Sequence, residues 1–319
     1  MTPSAKILSG MKKFICTSDF TGDQLYAMLQ YAIKQKQQAK AGRLAPTLSR
    51  KTLAMIFEKP SLRTRVSFEV GMSQLGGHAI NLDQKDIGIG KRESVEDVAR
   101  VLGRMCDVIM ARTFAQETVD KLAKYSGVPV INGLTDYLHP CQAMADIMTV
   151  LEQFGKLSGL TMAFIGDGNN VARSLAMSCA KLGMNFVLAC PPKYELEREW
   201  LERCRSVAGD RAKIEVIVGD AKKAVSCAQV LYTDTWVSMG QEAEKERRIR
   251  EFAGFQVNEE LLAAAPPEAI VLHCLPAYRG TEITDGVIDG PQSRVFEEAE
   301  NRLHFQRALM ELLVVGPQG

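Results

Sequence analysis

Residues 57–67 read Phe-Glu-Lys-Pro-Ser-Leu-Arg-Thr-Arg-Val-Ser, a spacing suited to holding an anion. The apolar run Leu53 to Phe57 reads as a buried strand, and Pro60 and Ser61 then open a helix. Pro near a helix start and Ser at the N-cap are the expected start signals. Leu62, Val66 and Val70, four apart, are predicted to form the inward face. Arg63 and Arg65 fall in the first turn, where the helix dipole disfavours cations. An anion docked on that turn reverses the penalty. Free backbone N–H groups, the Ser61 and Thr64 hydroxyls and the guanidinium forks form a cradle for phosphate or carboxylate. The competing reading is a solvated basic turn.

Further polar clusters stand at predicted strand ends, where parallel α/β sheets open their ligand crevices. Arg112 ends the strand Val108-Ile109-Met110-Ala111, as a ligand or as a surface pair. His139-Pro140-Cys141-Gln142 opens a helix. A His at a helix N-terminus has its pKa pushed down, which makes it a neutral polarising group; a capping role fits equally. Phe164-Ile165-Gly166-Asp167-Gly168-Asn169-Asn170 resembles half a dinucleotide fingerprint. Its third glycine position is Val171, and strand 185–190 ends in Cys-Pro-Pro instead of an acid for a ribose. The glycines are therefore read as a tight turn with Asn amides projecting into a crevice. In Thr233-Asp234-Thr235-Trp236-Val237-Ser238-Met239-Gly240-Gln241, Asp234 suits an ammonium group and Ser238 with nearby N–H groups suits a carboxylate, the two ends of an amino acid; an N-cap and turn is the alternative. In His273-Cys274-Leu275-Pro276 the two reactive residues are neighbours on an extended chain, so they point to opposite sides and a Cys–His dyad is not expected. Glu300-Asn301-Arg302 places another guanidinium at a helix start.

The elements that must position these groups alternate. Strands are predicted near 52–57, 78–82, 107–112 and 128–132, then near 160–165, 185–190, 213–218, 230–233 and 269–272. Helices are predicted near 62–75, 94–105, 118–126, 140–153, 170–182, 195–207, 220–228, 241–252 and 299–315. This alternation gives an α/β protein with two doubly wound parallel-sheet domains and an active-site crevice between them. The expected domains are 1–150 and 151–298, with the C-terminal helix, about 299–319, packing back onto the first.

Composition excludes other classes. The chain has 319 residues and a net charge of +1, so no global field favours nucleic acid or membrane. It has no apolar run long enough to span a bilayer and no signal-peptide core. The eight cysteines, at 16, 106, 141, 179, 190, 204, 227 and 274, show no CxxC spacing, which suggests a reduced, cytoplasmic chain without a zinc cluster.

Taken together, these motifs resemble the aspartate/ornithine carbamoyltransferase family along essentially the whole chain. Ser-Xaa-Arg-Thr-Arg and His-Pro-Xaa-Gln mark the wider group; Asp-Xaa-Xaa-Xaa-Ser-Met-Gly and His-Cys-Leu-Pro mark its ornithine branch. The resemblance implies a first domain for carbamoyl phosphate and a second for L-ornithine, closing on substrate. It implies carbamoyl phosphate contacts at Ser61, Leu62, Arg63, Thr64, Arg112, His139, Gln142, Cys274, Leu275 and Arg302, and ornithine contacts at Asn170, Asp234, Ser238 and Met239. Arg112, His139, Asp234 and Cys274 are the expected catalytic groups; Arg65 either joins the clamp or is structural. No cofactor or metal is implied. A homotrimer, or a multiple of trimers, is. A carbamoyltransferase for another amine such as putrescine, or for aspartate, is the near alternative; a dinucleotide-dependent oxidoreductase is the distant one. Two positions depart from the family pattern: Leu62 replaces the usual Thr, and Gly88 replaces a Gln or His that reaches a neighbouring subunit's phosphate. Lys91, Arg92 or Gln84 is a substitute donor for Gly88. Restoring Gln there is expected to tighten carbamoyl phosphate binding, unless Gly88 has positive φ.

Overall fold

The computed structural model describes residues 7–237 and 242–318. It divides into two compact units: the chain up to Ala145 together with Glu300 onward, and Asp146–Ala299. The helices Pro140–Phe154 and Val295–Val314 carry the chain across the two boundaries.

Each unit is built on a five-stranded, all-parallel sheet. In the first, β1 (Lys13–Phe14), β2 (Thr52–Phe57), β3 (His78–Asp83), β4 (Val108–Arg112) and β5 (Val130–Leu134) are ordered β1-β5-β4-β2-β3. In the second, β6 (Thr161–Ile165), β7 (Asn185–Cys190), β8 (Ile214–Val218), β9 (Val230–Thr233) and β10 (Ile270–His273) are ordered β10-β9-β6-β7-β8. The strands read as short, nearly continuous apolar runs because helices cover both faces of such sheets. Ala54, Ile56, Ile109, Ala111 and Val130 meet Val98, Val119 and Leu122 in the first core. Ala163, Ile165, Val187, Leu231 and Val271 meet Val225, Phe252 and Leu261 in the second. Each of the Val, Leu, Ile and Phe side chains contributes roughly 1.5–3 kcal/mol on burial.

The order of strands fixes where ligands can enter. The chain leaves β2 to build β3 on one side and then β4 on the other. It likewise leaves β6 for β7 and β8, and returns to build β9 on the opposite side. The carboxyl ends at these two reversals are the switch-point crevices of a doubly wound sheet. Phe57 pairs with Arg112 at the first, and Ile165 with Thr233 at the second.

Several elements differ from the sequence reading. The helix Leu62–Gln74 buries Thr64, Ser67, Phe68, Gly71 and Met72, while Leu62, Val66 and Val70 are exposed. The apolar spacing is helical, but the opposite face carries the larger Phe68 and Met72 together with the polar groups that bind the C-terminal helix. The helix Gly22–Lys40 was not anticipated; its Gln- and Lys-rich surface hides the pattern, although Thr21 and Gln24 form a capping box at its start. The predicted helix 241–252 is a 3₁₀ turn, Glu242–Glu244, followed by Lys245–Glu251, with Gln241 outside the described residues.

Phe68→Ala should cost about 3–5 kcal/mol of stability, the usual cost of emptying a buried aromatic site. Urea denaturation measures this, and a loss below about 1 kcal/mol would contradict the assignment of the inner face.

Candidate active site

At the first switch point, Ser61 is the N-cap of Leu62–Gln74, and its hydroxyl accepts the Thr64 N–H at 3.3 Å. That bond turns Thr64 inward, where it is fully buried. Its hydroxyl oxygen accepts from two guanidinium groups, Arg302 Nη2 at 3.0 Å and Arg112 Nη1 at 3.5 Å. Arg112 reaches this point because β4 and β5 slip in register between Ala111 and Arg112; such an irregularity re-aims the side chain that follows it. Arg302 also donates to Gln142 Oε1 at 2.5 Å. Gln306, on the same helix as Arg302, lies between it and Ser67: with its carbonyl oxygen turned to the arginine, it accepts from Nε and Nη2 at 3.0 Å each and donates to the Ser67 hydroxyl. Sequence reasoning missed Gln306 and Ser67, whose only signal was helical spacing from Arg302 and Thr64.

His139 precedes the first residue of Pro140–Phe154 and is held by a tight turn in which Thr135 Oγ1 accepts the N–H groups of Tyr137 and Leu138. Burial drives its pKa well below the ordinary histidine value, with Arg302, Arg112 and Arg63 adding to the effect. The helix terminus invoked from the sequence is not the main cause; desolvation and the three arginines are. The neutral ring can donate or accept toward an anion without adding charge. Arg65 pairs with Glu69 on the exposed face at 3.4 Å, outside this cluster, and the Leu62 side chain points to solvent.

At the second switch point, Asp234 follows β9 and is largely buried. It accepts from Asn169 Nδ2 at 2.7 Å, from the Thr235 N–H at 2.7 Å and from the Cys274 thiol at 3.0 Å. Asn169 also caps the helix Asn170–Leu182 through the N–H groups of Val171 and Ala172. The amide fixed on Asp234 is thus that of Asn169, which sequence reasoning did not single out; Asn170 is the first residue of the helix, and its carbonyl accepts from Ser174. Ser238 and Met239 lie outside the described residues.

Burial, reinforced by Asp234, Glu298 and Asp146, pushes the Cys274 thiol well above its ordinary range. A protonated thiol is a hydrogen-bond donor, not a nucleophile. His273 does not activate it. One ring nitrogen does come within 4.8 Å of both Cys274 Sγ and Asp234, closer than strand alternation predicts, because His273 is the last residue of β10. However, Nδ1 accepts the Leu275 N–H at 2.9 Å and Nε2 faces the buried Glu282 at 3.1 Å. Both nitrogens are committed, which leaves the three side chains without the free imidazole lone pair a metal site requires. Leu275, at φ +55, holds a backbone conformation rare for such a residue.

Two glycines settle points left open by the sequence. A Cβ at Gly168 would lie 2.7 Å from the backbone of Glu195 and Leu196. That glycine accommodates a neighbouring loop, with its N–H bonded to the Tyr194 carbonyl at 2.8 Å, in place of a pyrophosphate. Gly88 ends the turn Gln84–Ile87 in the left-handed region (φ +60, ψ 32), and a Cβ there would meet Arg92 Cβ at 2.8 Å. Gln84 is engaged within the same loop, donating to the Ile89 carbonyl at 3.0 Å.

The chain belongs to the aspartate/ornithine carbamoyltransferase family. Residues 12–152 match the family's carbamoyl-P binding domain and residues 158–313 its Asp/Orn binding domain. It is 48% identical over 306 residues to the ornithine carbamoyltransferase of Caldicellulosiruptor saccharolyticus, covering 96% of this chain and 99% of that one. It is 51% identical over 293 residues to that of Methanosarcina acetivorans, covering 92% and 96%. The solved ornithine carbamoyltransferase from Pyrococcus furiosus superposes with a TM-score of 0.93 at 47% identity, over 96% of this chain and 98% of that one.

Two measurements check the site. His139 should remain neutral through the window around pH 6.5, read by nitrogen NMR of the imidazole rings. Its folded pKa lies below the unfolded value, so the unfolded chain takes the proton first, and stability is lost as pH falls from 6.5 toward the folded pKa. An inflection for His139 at an ordinary histidine pH would contradict its burial among arginines. Separately, Gly88→Ala and Gly88→Gln should both lower stability by about 1 kcal/mol or more, through left-handed strain and the clash with Arg92. A neutral alanine in denaturant titration would show that the loop accepts a side chain there.

Proposed function

We propose that this protein transfers the carbamoyl group of carbamoyl phosphate to the δ-amine of L-ornithine, giving L-citrulline and phosphate. The observation that carries this reading is that the two units carry chemically opposite clusters, each at its own switch point. One is basic, around Thr64, and the other acidic, around Asp234. The names of the relatives and of the solved structures support the same reaction.

In this reading the first unit takes carbamoyl phosphate. The helix start at Ser61–Thr64 and the guanidinium groups of Arg63, Arg112 and Arg302 bind the phosphoryl oxygens, with Leu62 contributing its backbone N–H. Thr64, Arg112, His139 and Gln142 stabilise the carbonyl oxygen; each preorganised donor is worth roughly 3 kcal/mol as charge develops. The second unit takes ornithine. Asp234 accepts from an ammonium group, Asn170, Ser238 and Met239 hold the amino-acid end, and Cys274 and Leu275 line the reacting centre. The neutral δ-amine attacks the carbonyl carbon, forming a C–N bond and a tetrahedral oxyanion. The C–O bond to phosphate then breaks, and the departing phosphate accepts the amine proton. The carbamoyl carbon, not the phosphorus, is attacked, so the reaction needs no cation to bridge phosphoryl oxygens.

Ornithine fits better than the other acceptors. Aspartate would bring a second carboxylate toward Asp234, whereas putrescine lacks the carboxylate that the stretch after Asp234 is suited to hold. We assign the enzyme to the arginine-forming step in the cytoplasm, assembled as a homotrimer. The exposed apolar row Leu62, Val66 and Val70 on the first unit supports self-association.

The test is citrulline formation from carbamoyl phosphate, with ornithine, aspartate and putrescine offered separately. Ornithine alone should give efficient turnover. Asp234→Asn should raise the ornithine KM, lower kcat, or both, by at least about tenfold, the size expected when a charged hydrogen bond is lost. Binding of carbamoyl phosphate alone should persist in that variant. Equal turnover with putrescine, or equal loss of both affinities, would overturn the assignment.

A further inference from the structure

Arg302 is buried, and three of the side chains that hold it are neutral. Its Nη2 donates to Thr64 Oγ1 at 3.0 Å, its Nη1 to Gln142 Oε1 at 2.5 Å, and its Nε and Nη2 to the carbonyl oxygen of Gln306 at 3.0 Å each. Thr64 and Gln142 belong to the proposed anion site. Gln306, one helical turn beyond Arg302 on Val295–Val314 and fully buried, has no part in the reaction as written. Its amide closes a ring of hydrogen bonds. Arg302 donates to Gln306, Gln306 to the Ser67 hydroxyl, and that hydroxyl to the Thr64 carbonyl at 3.2 Å, while the Thr64 hydroxyl accepts from Arg302. All four residues are buried.

A buried guanidinium must find oxygen acceptors for its fixed fork of donors. A carboxylate four residues along the helix would satisfy that fork most strongly, in a bidentate pair. It would also cancel the charge that an anion has to find. The amide of Gln306 presents an oxygen at the same reach with no charge. A role confined to tying the C-terminal helix to Leu62–Gln74 through Ser67 would be served as well by glutamate, whose oxygens accept from both Arg302 and the Ser67 hydroxyl.

We propose that Gln306 is a positioning residue of the anion site: its neutral carbonyl aims Arg302 at the Thr64 cluster and leaves the guanidinium charge available to the phosphoryl group. The identity of the ligand rests on the carbamoyl phosphate reading; the electrostatic role of the amide does not.

The experiment uses the full chain with Gln306→Glu, Gln306→Met and Arg302→Met. Carbamoyl phosphate and inorganic phosphate are titrated separately, without ornithine, by calorimetry. Gln306→Glu should weaken both by at least about tenfold, the size of one charged hydrogen bond. Its ligand-free Tm should equal or exceed that of the wild type, because the new carboxylate offsets the repulsion between Arg302 and Arg112. Affinity and stability moving in opposite directions is a result that general damage does not give. In the Arg302→Met background, Gln306→Glu should instead lower the Tm, since the carboxylate is then buried without its guanidinium partner. Gln306→Met, which keeps the length but offers no carbonyl, should raise the KM for carbamoyl phosphate by about three- to tenfold and leave that for ornithine within about twofold. Unchanged anion affinity in Gln306→Glu, an affinity that falls together with its Tm, or a Gln306→Glu protein that does not fold would overturn the inference, and so would a Gln306→Met enzyme with both KM values unchanged. A wild type that binds inorganic phosphate but not carbamoyl phosphate would overturn the carbamoyl phosphate reading, and the phosphate titrations would then decide the role of Gln306. A wild type that binds neither anion would overturn both.

Discussion

Two arginines donate to one buried hydroxyl oxygen: Arg302 and Arg112 meet at Thr64, 3.0 and 3.5 Å away. Two like charges about 4 Å apart repel by about 4 kcal/mol at an effective dielectric of about 20, and here both have also lost water. Much of the first unit serves to hold this arrangement. The register slip at Ala111/Arg112 aims one guanidinium, Gln142 and Gln306 grip the other, and the Ser61 cap turns Thr64 inward. The C-terminal segment belongs to the first unit for the same reason, because it brings Arg302, and with it Gln306 and the buried Arg307, to the Leu62–Gln74 and Gly22–Lys40 helices. An anion relieves the repulsion, so binding and stability are linked.

The second unit solves the opposite problem. Asp234 is surrounded by donors, Asn169, the Thr235 N–H and the Cys274 thiol, which keep it ordered and able to receive a cation. Arg248, a buried cation of the same unit, is directed elsewhere: it pairs with Asp167, donates to the Trp236 carbonyl and stacks against Tyr194 and Phe252 at 4.8 and 5.3 Å. Arg248 is thus committed to other partners, and the groups around Asp234 are fixed. On the proposed reading, the basic cluster takes the carbamoyl donor and the acidic one the amine, matching the charges of the two reactants, and neither unit alone provides both.

The parts of this arrangement legible in the sequence were those written in local pattern. Alternating apolar strands and amphipathic helices gave the two sheets, and the strand-end rule pointed to Arg112, Asp234 and Cys274. The supporting groups were not legible. Gln306 and Glu282 are polar residues on helices or loops that look solvated until tertiary packing buries them, and of the two adjacent Asn amides expected in the crevice, Asn170 was chosen where Asn169 is the one on Asp234. The Leu62–Val66–Val70 face was misassigned because periodicity identifies a helix without saying which face is covered; Phe68 and Met72, with the Thr64 and Ser67 hydroxyls, outweighed it. Gly88 required the backbone itself, since a left-handed turn cannot be told from a missing donor by residue type alone.

The central claim is that the repelling arginines around Thr64 form a ready-made anion site. Calorimetric titration of the ligand-free protein with carbamoyl phosphate, without ornithine, tests this most directly, alongside Arg302→Met. Binding to the wild type should be saturable and weaken as salt rises, and the variant should lose at least about tenfold in affinity, as for a charged hydrogen bond removed from a buried site. Wild-type binding that appears only after ornithine is added, or an Arg302→Met protein of unchanged affinity, would contradict it.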